Sequence, residues 1–240
     1  MNHFFSKLIF LFLLALSTAS PIKHFTCTGK AEIKIDGHSL DEKNLLELDE
    51  KSLKPHVGKH LSIDDDVLSI SGGSWSFNAP LHALNSFAVL KNCHVTAKNW
   101  NGTIRNLNVE SVNDTFLEGF YHIDTINHNG KGRLMVYWID DHGDLILNAS
   151  EGKSFLAGDS KNFVVSINGT ADVDASHFRA TKILAKTKNN SKIILHPLTN
   201  LSVFAQDDSN VIYTTPVRQT NINSFNKASV FLEPLEEQAR

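Results

Sequence analysis

Short apolar runs separated by polar turns follow one another through the second half of the chain. Each copy of the pattern starts with an apolar run, passes through a turn rich in Asp, Asn, Ser or Gly, and ends on a second apolar run. Four copies are clear; they begin at Leu134, Phe155, Ile183 and Val203, the last two 20 residues apart. A period of about twenty residues is typical of stacked strand-turn units, each too small to bury its apolar face alone. The pattern therefore predicts an all-β chain that folds as a β-solenoid.

Weaker copies extend this pattern towards the N-terminus. Short β-rich runs start at Val67 and continue to Pro216, and residues 222–232 add a last rung, so the solenoid domain is predicted at 67–232. Strand spacing alone would also fit a sandwich or a barrel. The Asn-Gly dipeptides are compatible with hairpins; they lie at Asn101, Asn129 and Asn168. These dipeptides weaken the argument for a solenoid, but the longer period favours it.

The segment before the repeats has a different character. Alternation from Lys30 to Gly37 predicts a short strand, and a capping box at Ser39–Glu42 predicts a short helix over residues 44–53 that stops at Pro55. We expect residues 20–66 to form a capping segment, because an open solenoid end leaves an apolar cross-section and an unpaired edge to water. The tail, residues 233–240, has no apolar pattern and is predicted to be disordered.

The first residues predict export. A weakly cationic start with Lys7 precedes an apolar run from Leu8 to Leu16, and Ser17-Thr18-Ala19 provides a cleavage site, so residues 1–19 are predicted to be a signal peptide. The run is far shorter than the roughly 20 residues of a membrane-spanning helix. We therefore expect a periplasmic or extracellular protein without a transmembrane anchor.

The charge of the chain argues against two classes of partner, and its cysteines allow one cross-link. The chain has 23 basic and 26 acidic side chains, for a net charge of −3, which gives no electrostatic footprint for nucleic acid or an anionic membrane surface. Cys27 and Cys93 are its two cysteines. In an oxidising compartment they can pair, and closing that loop would stabilise the fold by roughly 4 kcal/mol. Two buried thiols are the alternative.

Part of the repeat region resembles a known bacterial family. The stretches Val164–Leu184 and Leu201–Pro216, with their small-residue turns and closing Tyr213-Thr-Thr-Pro216, resemble the GIN domain, also called the auto-transporter adhesin head domain. The resemblance is good over about residues 155–232 and looser over 67–154, and it implies an exported, right-handed parallel β-helix with no established catalytic activity. The Gly-Ser-Gly turns of that family are replaced here by Asn189-Asn-Ser and Asp207-Asp-Ser, whose Asn and Asp residues tolerate left-handed backbone conformations.

Acidic clusters are the first candidates for chemistry. Glycoside hydrolysis needs two carboxylates about 5 to 9 Å apart, and rungs about 4.8 Å apart could supply them. The clusters are Asp64–Asp66, Asp140–Asp141, Asp172 with Asp174, and Asp207–Asp208. All but the pair Asp172 and Asp174 lie in evident turns, where Asp binds backbone amides. The 12 histidines specify no set of three zinc ligands. The sequence therefore predicts no catalytic residue, no metal site and no cofactor.

Aromatic residues are the only feature that suggests a ligand face. They would stack on sugar rings if they project outward from neighbouring rungs, and the alternative is that they fill the coil interior. The candidates are Trp75, Trp100, Tyr121, Tyr137 and Trp138.

These patterns predict an exported, non-enzymatic β-solenoid that serves as a binding, adhesion or scaffolding module at the bacterial cell envelope. Its partner would be an envelope or extracellular ligand, either a glycan or a protein. Two alternatives stay open at this stage. One is a carbohydrate-active β-helix enzyme with carboxylates on adjacent rungs, and the other is an envelope protein that self-associates through an exposed strand edge.

Overall fold

The computed structural model describes residues 22–37, 46–47, 53–78 and 83–234. These residues form short and long β-strands and one 3-10 helix, Lys54–His56. The strands are β1 His24–Asp36, β2 Leu46–Glu47, β3 Leu61–Asp64, β4 Val67–Asn78, β5 Ala83–Lys91, β6 His94–Lys98, β7 Gly102–Ser111, β8 Thr115–His128, β9 Arg133–Ala149, β10 Lys153–Asn168, β11 Asp172–Lys188, β12 Lys192–Ala205, β13 Asn210–Tyr213, β14 Gln219–Ser224 and β15 Ser229–Leu232. The predicted signal peptide and residues 235–240 of the predicted tail lie outside the described residues.

The strands from β5 to β15 stack in parallel as the rungs of one ladder. Arg133, Lys153, Asp172, Lys192 and Asn210 occupy the same position on successive rungs, at steps of 20, 19, 20 and 18 residues. The ladder makes about seven turns, and the predicted parallel β-solenoid is confirmed. A right-handed sense is general for parallel crossover connections. Because these rungs are parallel, the three Asn-Gly dipeptides do not form hairpins; they lie at turns or strand ends.

Alternation of side chains along each strand builds the core. Leu147 and Val165 pair in register and are fully buried, whereas Ile146 and Val164 pair one position earlier and point outward. Bulges bend the long strands, for example between Leu156 and Gly158. They divide the outer surface into two faces. The first face carries the N-terminal parts of β8–β12 with β6, β13 and β15, and the second face carries their C-terminal parts with β5, β7 and β14.

Side-chain amides bind one another from rung to rung at the turns. Asn148 Nδ2 donates to Asn127 Oδ1 at 2.9 Å, and Asn189 Nδ2 donates to Asn168 Oδ1 at 2.9 Å. Each bond joins residues 21 positions apart. The Asn-rich turns therefore stabilise the stacking of rungs as well as the reversal of the chain.

The N-terminal segment differs from the predicted cap. The predicted strand lies within β1, but β1 is itself a rung, hydrogen-bonded to β4 on one side and to β5 and β6 on the other. A boundary at residue 67 therefore does not separate ladder from cap. Residue 46 and residue 47 of the predicted helix form β2, which pairs with β4, and the helix residues 44–45 and 48–52 lie outside the described part of the chain. Local alternation identified the strand, but the choice of its neighbours depends on distant segments.

The end of the ladder beyond β4 is covered by a hairpin. Strand β3 pairs antiparallel with β4, with Leu61 opposite Ile70, and the chain reverses at Asp65, whose φ is 51°. Leu53 is fully buried. Strands β2 and β3 therefore cover parts of the outer edge of β4, although β1 takes no part in this.

A disulfide bond joins Cys27 of β1 to Cys93, between β5 and β6, with a Cα–Cα distance of 6.0 Å. Both residues are fully buried. The bond ties the inserted rung β1 to the rung that follows it in the ladder.

Among the residues described, no helix is long and apolar enough to cross a bilayer.

Candidate functional site

The candidate ligand-face aromatics divide between core and surface. Trp100 and Tyr121 are buried, so the expectation that they line an outer face is wrong. Trp100 packs edge-on against Phe87, with ring centroids 5.4 Å apart. Burial raises the pKa of the Tyr121 hydroxyl. Trp75 is half-buried, and its Nε1 donates to the carbonyl oxygen of Gly72 at 2.7 Å. These three side chains serve packing.

Tyr137 and Trp138 do reach the surface, at the edge of the first face. Trp138 is 38% exposed, and Tyr137 packs edge-on against Phe116 with ring centroids 5.9 Å apart. Burial and the nearby carboxylate of Asp174 raise the pKa of Tyr137, so its hydroxyl stays protonated and can donate a hydrogen bond at neutral pH. On the bulged corner beside them, Phe120 is 63% exposed.

A row of apolar side chains runs along the first face, and the sequence did not indicate it. Its members occupy one register position on successive rungs, with Asp174 as the one polar interruption. We call this set the apolar row: Phe116, Met135, Phe155, Ile194, Ile212 and Phe231. Ile212 is buried, Phe231 is exposed, and the others are half-buried. Two runs of in-register apolar side chains, one on each side of Asp174, therefore lie along the first face.

Charged side chains flank the apolar row two residues earlier in the chain, from Asp114 before β8 to Lys192 on β12. Arg133 donates from its backbone N to Asp114 Oδ1 at 3.0 Å and from Nε to Oδ2 at 3.0 Å. The guanidinium hydrogen bonds hold the pKa of the Asp114 carboxyl below its usual value. The next ion pair along the rim joins Lys153 Nζ and Asp172 Oδ2, which lie 3.9 Å apart. The row therefore has a polar rim of mixed sign.

An open groove of about 880 Å³ lies at the N-terminal end of the first face. We call it the polar groove, because most of its lining is polar or charged. The lining residues are Lys30, Ala31, Glu32, Gly73, Ser74, Asn92, His94, Val112, Asn113 and Asp114. One register position on adjacent rungs is occupied by Glu32, His94 and Asp114. Arg133, beside the apolar row, occupies the same position on the next rung. The groove and the row are thus neighbouring parts of one surface.

A serine–histidine pair is present but enclosed. His128 Nδ1 and Ser154 Oγ lie 2.7 Å apart, and both residues are buried inside the coil. Burial lowers the pKa of His128 to about 4, so the imidazole is neutral at neutral pH. Because both side chains are enclosed, no substrate can reach them, and we assign the pair a structural role rather than a catalytic one.

The candidate acidic residues lie at different places on the solenoid, in turns, at corners and, for Asp174, within the apolar row. Asp64–Asp66 form the β3–β4 turn, and Asp174 Oδ1 accepts hydrogen bonds from the backbone N and Oγ of Ser176 at 3.0 and 2.7 Å. Asp140 and Asp159 are register neighbours on β9 and β10, a pairing that the sequence did not reveal, and Asp159 lies 3.5 Å from the Arg179 guanidinium. In the described part of the chain, no three His, Cys, Asp or Glu residues converge as a metal site.

No protein-family model matches the sequence, and no curated protein matches it. Among solved structures, the fold is similar to a "putative adhesin" from Parabacteroides merdae, with a TM-score of 0.64 and 16% identity. The match covers 89% of this chain and 92% of that chain. At this identity the likeness shows the fold alone. The class defined by the fold is therefore a parallel β-solenoid.

Proposed function

We propose that this protein is an exported, non-enzymatic binding module of the GIN type, which acts in adhesion at the bacterial cell envelope. The observation that carries the proposal is the apolar row on the first face. Clustered apolar side chains on an outer surface commonly mark interaction sites, because water-exposed apolar area is otherwise kept scattered. The adhesin-like fold of the structural neighbour supports the same function.

The composition of the first face suits recognition of an extended ligand. Aromatic side chains such as Phe116 and Phe155 provide contact area, and the charged rim with Arg133 and Asp114 provides orientation. Binding surfaces are typically apolar at the centre and polar at the rim. Since each rung is hydrogen-bonded to its neighbours, the face is preorganised and little entropy is lost when a ligand binds.

The non-enzymatic part of the proposal rests on the placement of the reactive groups. The His128–Ser154 pair is enclosed, and Asp159 is engaged by Arg179 on an outer corner. The sequence pattern of residues 1–19 supports export, and the GIN resemblance supports the envelope as the site of action.

Binding of the purified mature chain to intact bacterial cells and to envelope glycans tests the function. Phe155→Glu places a charge in the apolar row, and Ile146→Glu is its matched control, because Ile146 is an outward apolar residue on the second face. We expect Phe155→Glu to reduce binding at least tenfold and Ile146→Glu to leave it unchanged, with both variants folded by circular dichroism.

Equal effects of the two substitutions would contradict the assignment of the first face. Cleavage of a polysaccharide panel by the wild-type protein, abolished in Asp159→Asn, would replace the proposal with the enzyme alternative.

A further inference from the structure

We propose that the polar groove is a binding site for a neutral oligosaccharide, held by side-chain hydrogen bonds. The inference rests on the proposed binding function and names the class of ligand. It is carried by the dimensions, charge and rigidity of the groove.

The groove crosses four adjacent rungs, and each rung contributes polar groups or open backbone to its lining. Ser74 lies on β4, Glu32 on β1, His94 on β6, and Asp114 directly before β8. Three steps of about 4.8 Å give the groove a length of roughly 14 Å along the ladder. That length suits a short chain of linked rings better than a single small molecule.

The lining has balanced charge and both kinds of hydrogen-bonding group. Glu32 Oε1 lies 3.2 Å from Lys34 Nζ, and Asp114 is bound by Arg133, so each carboxylate has a cationic neighbour. The groove therefore presents no strong field that would hold an ionic ligand. Carboxylates accept, the Lys30 ammonium donates, and the amides of Asn92 and Asn113 do both. Sugar hydroxyls, which donate and accept at once, match this lining.

An extended peptide fits the groove less well. Peptides bind β-structures most readily by adding a strand to an exposed edge, through main-chain hydrogen bonds. Strand β1 lies between β4 and β6, and β6 lies between β1 and β8, so these strands offer no free edge along the groove. Val112 is the one large apolar side chain in the lining, whereas protein ligands need several apolar anchors.

The walls of the groove are held in place from inside. The Cys27–Cys93 disulfide fixes the residue between Asn92 and His94 to β1. Ser111 Oγ donates to the Cys93 carbonyl oxygen at 2.6 Å and accepts from the Asn113 backbone N at 3.0 Å. Asn113 Nδ2 donates to the Asn92 carbonyl oxygen at 2.7 Å. Such preorganisation lowers the entropic cost of binding a flexible saccharide.

A glycan array with neutral and acidic oligosaccharides, probed with the mature chain, tests the inference. Titration calorimetry then measures the affinity of the strongest neutral oligosaccharide for variants. Asn92→Ala and Glu32→Gln alter the groove, and Asn190→Ala is the matched control, because Asn190 lies in an exposed turn of a distant rung. We expect each groove variant to weaken binding about tenfold, as loss of a ligand hydrogen bond does, and the control to bind as wild type.

The outcomes separate this inference from the proposed function. If Phe155→Glu abolishes binding to cells while the groove variants leave all binding unchanged, the oligosaccharide site is wrong. The proposed binding module then stands. Binding of the mature chain to acidic glycans alone on the array, or to no glycan, would also contradict the oligosaccharide site. Absence of binding both to cells and to glycans would overturn the site and the proposed function together.

Discussion

Arg133 binds the Asp114 carboxylate from the next rung of the ladder with its backbone N and its guanidinium, and so joins the rim of the apolar row to the polar groove. The two residues are 19 positions apart, which is one turn of the solenoid. The contact shows how a repeat period in the sequence becomes a continuous surface in space.

The Arg133 contact predicts a measurable titration. Hydrogen bonds from the Arg133 side chain lower the pKa of Asp114, so Arg133→Gln should move that pKa back up towards its ordinary value. The measurement is the pH dependence of the Asp114 carboxyl chemical shift by NMR. Arg105→Gln, an exposed substitution on β7, is the control and should leave the titration in place. An unchanged Asp114 titration in Arg133→Gln would show that the contact does not persist in solution.

Buried His128 predicts acid sensitivity of the core. Its pKa in the folded state is about 4, below the ordinary value of 6.5, so the unfolded chain binds the proton more tightly. The stability is complete above about pH 6.5 and falls as the pH drops to about 4, by roughly 3 kcal/mol in total. Chemical denaturation at several pH values measures this slope.

The matched variants for this slope are His128→Gln and His177→Gln. Residue 177 is exposed, whereas residue 128 is enclosed. We expect the first substitution to flatten the dependence between pH 6.5 and 4 and the second to preserve it. A slope that survives in His128→Gln would assign the acid sensitivity to other groups.

The disulfide predicts a large difference between oxidised and reduced protein. Cys27 and Cys93 close a loop with a sequence separation of 66 residues. On the chain-entropy model, its removal lowers the free energy of unfolding by roughly 4 kcal/mol. Urea denaturation of the wild type and of the double variant Cys27→Ser, Cys93→Ser measures the difference. Two titratable thiols in the unreduced, denatured protein would refute the pairing.

Two neighbouring residues test the inward and outward alternation of β9. Leu147 is fully buried and Ile146 is 39% exposed. Leu147→Ala should lower the free energy of unfolding by about 3 kcal/mol, because it leaves a cavity. Ile146→Ala should change it by no more than about 0.5 kcal/mol, as surface substitutions do. Similar losses from thermal or urea unfolding at both sites would contradict the register.

The repeat region was predictable because its signal is local and repeated. The turns after Ile183 and Val203 recur at about twenty residues, and stacking such units buries the apolar faces that each unit alone leaves exposed. The site was predicted only in part. Tyr137 and Trp138 do reach the surface, but the apolar row was missed, since Met135 and Ile194 stand within unbroken apolar runs in which the alternation of inside and outside is hidden.

Trp100 and Tyr121 show why the remaining aromatics were misplaced. Asn99 has a φ of 52°, which breaks the alternation just before Trp100, and a register shift between Glu118 and Tyr121 does the same at the next corner. Both rings therefore point inward. A bulge is set by the neighbouring rung, and a single strand carries little sign of it.

The sequence by itself determined the class of fold, the period of the rungs and the two cysteines available for a cross-link. Only the tertiary structure decided that β1 inserts between β4 and the rung formed by β5 and β6, and that Lys30 and Asp114 line one groove. The physical reason is the range of the interactions. Side-chain alternation is settled within a strand, whereas the order of rungs depends on hydrogen bonds between segments far apart in the chain.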